Sequence, residues 1–146
     1  MKRLLCVTIC FCVLLFCCSC GAKNSGSTLT NGTYSAEYAE FDTTGWKEYI
    51  TFTVEDNQVV SCEFDAKNNL NEKLSENAAA AEARQAAGMD TPDWYYTTLE
   101  EAFTKRINQD GTITQSIAKD NTLFPLLQSA IGAMQKKDTS TQIVAH

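Results

Sequence analysis

Between positions 46 and 65 the chain alternates. Ile50, Phe52 and Val54 are interleaved with Thr51, Thr53 and Glu55, and Val60, Cys62 and Phe64 with Ser61, Glu63 and Asp65. A period of two gives each segment one apolar and one polar face. The pattern predicts two strands, Glu48–Glu55 and Gln58–Asp65. Asp56 and Asn57 between them supply turn chemistry, because both residue types tolerate positive φ. A hairpin alone is marginal in water, so other segments must cover its apolar face. Gly32–Tyr38 predicts an earlier strand, with Tyr34, Ala36 and Tyr38 at alternate positions, and the three strands make an antiparallel meander.

After Asp65 the period lengthens. Glu72–Ala87 is rich in Ala, Glu, Lys, Arg and Gln and predicts a helix ended by Gly88. Its apolar positions are mostly Ala, so it is expected to be peripheral. Thr91, Pro92 and Asp93 form a helix start. That helix is expected to reach about Ile107, with Trp94/Tyr95, Leu99, Ala102/Phe103 and Ile107 as its apolar stripe. Asn108–Gly111 reads as a turn and Thr112–Ala118 as a short strand or extended loop. The segment Asp120–Thr122 offers caps for a last helix carrying Leu123, Phe124, Leu127, Ala130, Ile131 and Met134. Pro125 is tolerable there only in the first turn. The fold class is therefore α+β: a small antiparallel sheet followed by, and packed against, two or three helices.

The first residues stand apart. Lys2 and Arg3 precede an apolar run from Leu4 to Phe16, too short for a comfortable membrane span. The run ends in Cys17-Cys18-Ser19-Cys20-Gly21, which resembles a bacterial lipoprotein cleavage site. Residues 1–19 are read as the signal peptide, with the cut after Ser19 and the lipid on Cys20. Cys18 is the poorer acceptor because bulky Phe16 and Cys17 precede it, and an uncleaved N-terminal anchor is the plain alternative. Residues 20–31 make the lipidated Cys and a small, polar tether, 32–136 the domain, and 137–146 a polar tail.

Cleavage changes the chemistry. Of seven cysteines only Cys20 and Cys62 would remain, so no disulfide framework is expected. Losing Lys2 and Arg3 takes the formal net charge from −6 to −8. An acidic chain without clustered Lys or Arg argues against nucleic acid as a partner. The only histidine is the last residue, His146, and there is no Gly-rich phosphate loop. No catalytic set and no metal site are visible. Cys62 reads as a buried structural thiol. The domain is dense in aromatic residues, and Trp46, which follows Gly45 at a loop–strand junction, is the one least explained by packing.

Two stretches resemble the FMN-binding domain of bacterial surface lipoproteins, a family linked to extracellular electron transfer and to peptide-pheromone precursors. The first carries Gly32-Thr33-Tyr34, then Phe41-Asp42, then Gly45-Trp46-Lys47, and runs into Thr53-Val54 and the hairpin. The second is the succession of helices behind it. The resemblance implies a membrane-anchored extracytoplasmic lipoprotein that holds FMN and meets a redox partner protein. Covalent members carry a Gly-Ala-Thr motif before the last helix, whose Thr takes the flavin phosphate. Here Ala118 or Asp120 falls at that position, so the flavin is expected to be non-covalent. The candidate cofactor-binding residues are Trp46, Ser116, Asn121 and Thr122. The alternatives are a flavin-free surface interaction or structural module and a pheromone precursor; the Cys-rich Val13–Ser19 is unlike a stable secreted peptide.

Overall fold

The computed structural model describes residues 29–110, 119 and 121–145. Within them the order is β1 (Gly32–Tyr38), β2 (Lys47–Glu55), β3 (Gln58–Lys67), α1 (Ala78–Ala86), α2 (Pro92–Asp110), α3 (Leu123–Lys136) and β4 (Gln142–Val144). The sheet runs β3-β2-β1-β4. The first three strands are the expected antiparallel meander, and β4 adds to β1 in parallel. This is the α+β domain that the alternation and the later helical period predict.

The β2–β3 turn has Asp56 and Asn57 both at positive φ, 48° and 62°. That geometry matches the right-handed twist of the flanking strands. One residue of the expected register is wrong. Val54 pairs with Val59 while Thr53 pairs with Ser61, so Val60 is an extra residue in a bulge. Val59 takes the core position and Val60 is 53% exposed. The bulge is held from outside the sheet. The Val59 N–H donates to Asn108 Oδ1 at 2.8 Å, and Asn108 Nδ2 donates to the Val59 carbonyl at 3.0 Å.

The apolar sheet face carries Tyr34, Ala36, Ile50, Phe52, Val54 and Phe64, all buried. α2 covers β3, and α3 covers β1 and β2. Phe103 of α2 meets Phe52 and Phe64 with ring centroids 5.3 and 5.5 Å apart, and Tyr34 continues the stack against Phe52 at 5.8 Å. Such tilted pairs add to the free energy of area burial. α3 is amphipathic as expected, with Leu126 and Ala133 joining its buried stripe. The stripe of α2 holds in the main: Phe103 and Ile107 are buried and Tyr95 and Leu99 pack against the core, while Tyr96 joins it and Trp94 (54% exposed) and Ala102 fall outside it. α2 also continues through 108–110, where a turn was expected, because Asn108 is anchored on β3.

Helix propensity loses over 72–77. Asn68 Oδ1 accepts from the N–H groups of Leu70 and Glu72, and Lys73 bridges Lys67. Asp65, only 2% exposed on the polar sheet face, accepts from the Ser75 N–H and hydroxyl. These bonds finish the end of β3 before Asn77 caps α1 by accepting from the Ala80 N–H. α1 buries no residue completely, as its Ala-rich sequence predicts. It closes with Gly88 at φ 70°; the Gly88 N–H donates to the Gln85 carbonyl and the Met89 N–H to that of Arg84.

Two segments expected to lie outside the domain contribute to it. Leu29, in the expected tether, is buried, and its N–H donates to Asn57 Oδ1 at 2.8 Å. In the expected polar tail, β4 forms beside β1, with the Ala39 N–H bonded to the Val144 carbonyl at 2.8 Å. Thr112–Ala118, expected to be a strand or loop, falls outside the described residues.

The outer edge of β3 is occupied at several points. Besides Asn108 at Val59, Glu100 Oε1 accepts from the Phe64 N–H at 2.7 Å and the Leu74 N–H donates to the Ala66 carbonyl at 2.8 Å. The open sheet face is polar, with Glu37 bonded to Lys47 at 2.8 Å and to Lys67 at 2.6 Å.

Phe103 and Trp94 set the expected contrast in stability. Phe103→Ala should destabilise by about 3–5 kcal/mol through the cavity it leaves. Trp94→Ala should stay within about 0.5 kcal/mol, as for an exposed side chain. Urea unfolding followed by far-UV circular dichroism checks both. Equal midpoints for the two variants would contradict this packing.

Candidate functional site

At the end of the sheet opposite the β2–β3 turn, the chain leaves a cleft of about 620 Å³. Its walls come from the β1–β2 loop, the first residues of β2, the last turn of α1 and the first turns of α2 and α3. Trp46, Tyr95, Tyr96, Met89 and Arg84 are among the residues that line it.

The position of Trp46 follows from Asp42. One carboxylate oxygen, Oδ1, accepts from the Thr44 N–H at 2.8 Å, the Thr44 hydroxyl at 2.7 Å and the Trp46 N–H at 2.9 Å. The Asp42 N–H donates to the Trp46 carbonyl at 2.7 Å, and Gly45 turns the chain at φ 87°. A five-residue loop is thereby closed on itself, with Trp46 held half-buried at its exit. Burial opposes ionisation of Asp42, but these bonds outweigh it and hold the carboxyl below its ordinary range.

α1 and α2 are joined by the short connection from Ala87 to Thr91, which brings the last turn of one beside the first turn of the other. Arg84 Nε donates to the Asp90 carbonyl at 2.6 Å, and its guanidinium lies 5.8 Å from the Tyr95 ring centre. Tyr95 and Tyr96 meet edge to face at 5.2 Å. Burial, then the charge of Glu48, pushes the Tyr96 and Tyr38 phenols up, so both remain protonated across the neutral range.

The three expected cofactor residues that fall within the described structure converge here. Trp46 and Thr122 line the cleft. Asn121 lies behind it: Nδ2 donates to the Tyr95 hydroxyl at 2.8 Å and Oδ1 accepts from the Leu123 N–H at 2.9 Å. The Thr122 carbonyl accepts from the Tyr38 hydroxyl at 2.5 Å, while its side chain makes no capping bond. Asn121 and Thr122 therefore tie the start of α3 to α2 and β1, and Asn121 does the capping. Ser116 and Cys20 lie outside the described residues, as do Ala118 and Asp120.

Sequence reasoning missed Arg84 and Met89. The available signal was the pair of helix punctuators, Gly88 and Pro92, which fold α1 back on α2. The cleft carries two carboxylates, Asp42 and Glu48, against one guanidinium. Among the described residues no group of acidic, Cys or His side chains could hold a metal ion. Cys62 is half-buried beside the core, and burial pushes its thiol far up, which removes it as a nucleophile at neutral pH. The arrangement sets aromatic rings, hydroxyls and one positive charge around a single cleft.

No protein-family model matches the chain. It is 28% identical over 102 residues to the 15 kDa lipoprotein of Treponema pallidum (strain Nichols), a span covering 70% of this chain and 68% of that protein. A crystal structure of a Clostridium perfringens protein superposes with a TM-score of 0.69 at 21% identity, covering 81% of this chain and 98% of the other. That likeness establishes a shared fold. A solution structure from Clostridium thermocellum gives a TM-score of 0.43 at 19% identity, over 74% of this chain and 92% of that one.

The Asp42 loop gives a pH-dependent expectation. A lowered carboxyl pKa stabilises the fold above the unfolded value of about 3.9, and that contribution is lost as pH falls through the folded value. In a Trp94→Phe background, Trp46 fluorescence should hold steady down to the ordinary Asp range and change only below it. Asp42→Ala should show the acid-like signal already at neutral pH. An unchanged spectrum in Asp42→Ala would show that the carboxylate does not position Trp46.

Proposed function

We propose that the chain is a membrane-anchored extracytoplasmic lipoprotein whose cleft holds FMN non-covalently, as an electron carrier for a partner protein. The observation that carries the flavin reading is the convergence of Trp46, Tyr95 and Tyr96 on one cleft of about 620 Å³, within the size range of cofactor pockets. The leader ending at Ser19-Cys20 and the likeness to a treponemal lipoprotein support the anchor.

The residues present fit a flat, amphipathic ligand. Trp46 offers a ring for stacking, and Arg84, which lies over the Tyr95 ring, offers positive charge. Thr122 opens α3, whose first turn carries no acidic residue. A phosphate is best placed beside Arg84, away from Glu48; the start of α3 adds the dipole alone, because the Leu123 and Phe124 N–H groups are bonded to Asn121 and Pro125 has none. Bound flavin supplies reversible redox chemistry; the chain contributes binding, orientation and partial exclusion of water. Its threonine and tyrosine hydroxyls select among flat ligands by hydrogen bonding.

The two carboxylates facing the cleft favour a second reading, a flavin-free interaction module. FMN titration of the detergent-solubilised full chain separates the two. Saturable quenching of flavin fluorescence is expected, with no increase in the denatured mass. Trp46→Ala should weaken binding about tenfold, or ~1.4 kcal/mol. Absence of saturable quenching would sink the flavin reading and leave the interaction module.

A further inference from the structure

The place where the chain enters the fold bears on how the domain meets a membrane. Leu29 is buried against the core, and its N–H is held by the Asn57 side chain in the β2–β3 turn. The connector therefore leaves at the turn end of the sheet. The cleft lies at the other end, where Tyr38, Trp46, Glu48 and Ala66 are found. β1 alone, from Gly32 to Tyr38, separates the two ends by roughly 20 Å at about 3.3 Å per residue.

We infer that the β2–β3 turn end, with Glu55, Asp56 and Gln58 exposed around it, faces the lipid surface, and that the cleft opens away from it into the aqueous phase. This rests on the reading of Cys20 as the lipid-bearing residue. Only residues 21–28 lie between Cys20 and Leu29. Nine residue steps reach at most about 30 Å when fully extended. Turning the cleft to the lipid would lift Leu29 by roughly 20 Å, about two-thirds of that reach and beyond the root-mean-square span of about 15–18 Å of nine flexible residues. Holding the ends that far apart excludes the more compact conformations of the connector, whereas the turn-down arrangement leaves them accessible. A ligand or partner of the cleft then arrives from water rather than through the bilayer.

Fluorophores on Glu55→Cys and Met89→Cys, each in a Cys62→Ala background, read the orientation. Both parent residues are exposed, at the turn end and at the cleft rim. The lipidated chains are placed in phosphatidylethanolamine–phosphatidylglycerol vesicles containing a headgroup-spin-labelled phospholipid. Quenching several-fold stronger at position 55 than at 89 is expected. Lengthening the connector by about twenty Gly/Ser residues should reduce the contrast, because its reach then exceeds the domain. Equal quenching, or stronger quenching at 89, overturns the orientation; a contrast unchanged by the longer connector overturns the connector as its cause. Flotation with vesicles tests the anchor separately. If Cys20→Ala still floats, the anchor reading fails and this one with it, whereas flotation lost together with equal quenching overturns the orientation alone.

Discussion

The contact of Phe103 with Phe52 and Phe64 is the constraint on which the remaining architecture depends. It fixes α2 across two neighbouring strands and sets the rotation of that helix. With Phe103 inward, Tyr96 and Ile107 must also face the sheet, and Trp94 must face water. The same rotation carries Asn108 to the bulge in β3 and Tyr95 to the edge of the cleft. One aromatic contact thus links the register of the hairpin to the shape of the candidate site.

Much of this was legible in the sequence because the signals were local. The strict alternation around Ile50 and Phe64, the Asp56–Asn57 turn, the Thr91-Pro92 start and the Gly88 stop each act within a few residues. What stayed hidden depended on partners far along the chain. Val59 rather than Val60 points inward because Asn108, 49 residues later, satisfies the bulged backbone. Residues 72–77 forgo helix because Asp65 and Lys67 need partners. β4 is three residues long and carries no alternation of its own; it exists because β1 offers a free edge. Of the site, Trp46 was legible from its Gly-loop junction. Arg84 was not, since a lone Arg on an Ala-rich helix looks like a solvated surface.

The cleft is assembled from starts and ends of elements rather than from their middles. Its walls are a self-closed loop, a helix C-terminus and two helix N-termini, each fixed by short-range bonds: Asp42 to Trp46, Gly88 to Gln85, Asn121 to Leu123. Such walls can change residue by residue without disturbing the Phe103 contact at the centre.

The side chains that α2 lays along β3 also decide how the sheet can be extended. Asn108 and Glu100, with the Leu74 backbone, occupy the bonding groups of Val59, Phe64 and Ala66, which interrupts any run long enough to receive another strand. At the opposite edge β4 is only three residues long. Among the described residues, a sheet blocked at β3 can gain a neighbour only beside β4. Among the described residues, the β3 edge therefore offers no way to pass an edge-to-edge pairing on to a further copy.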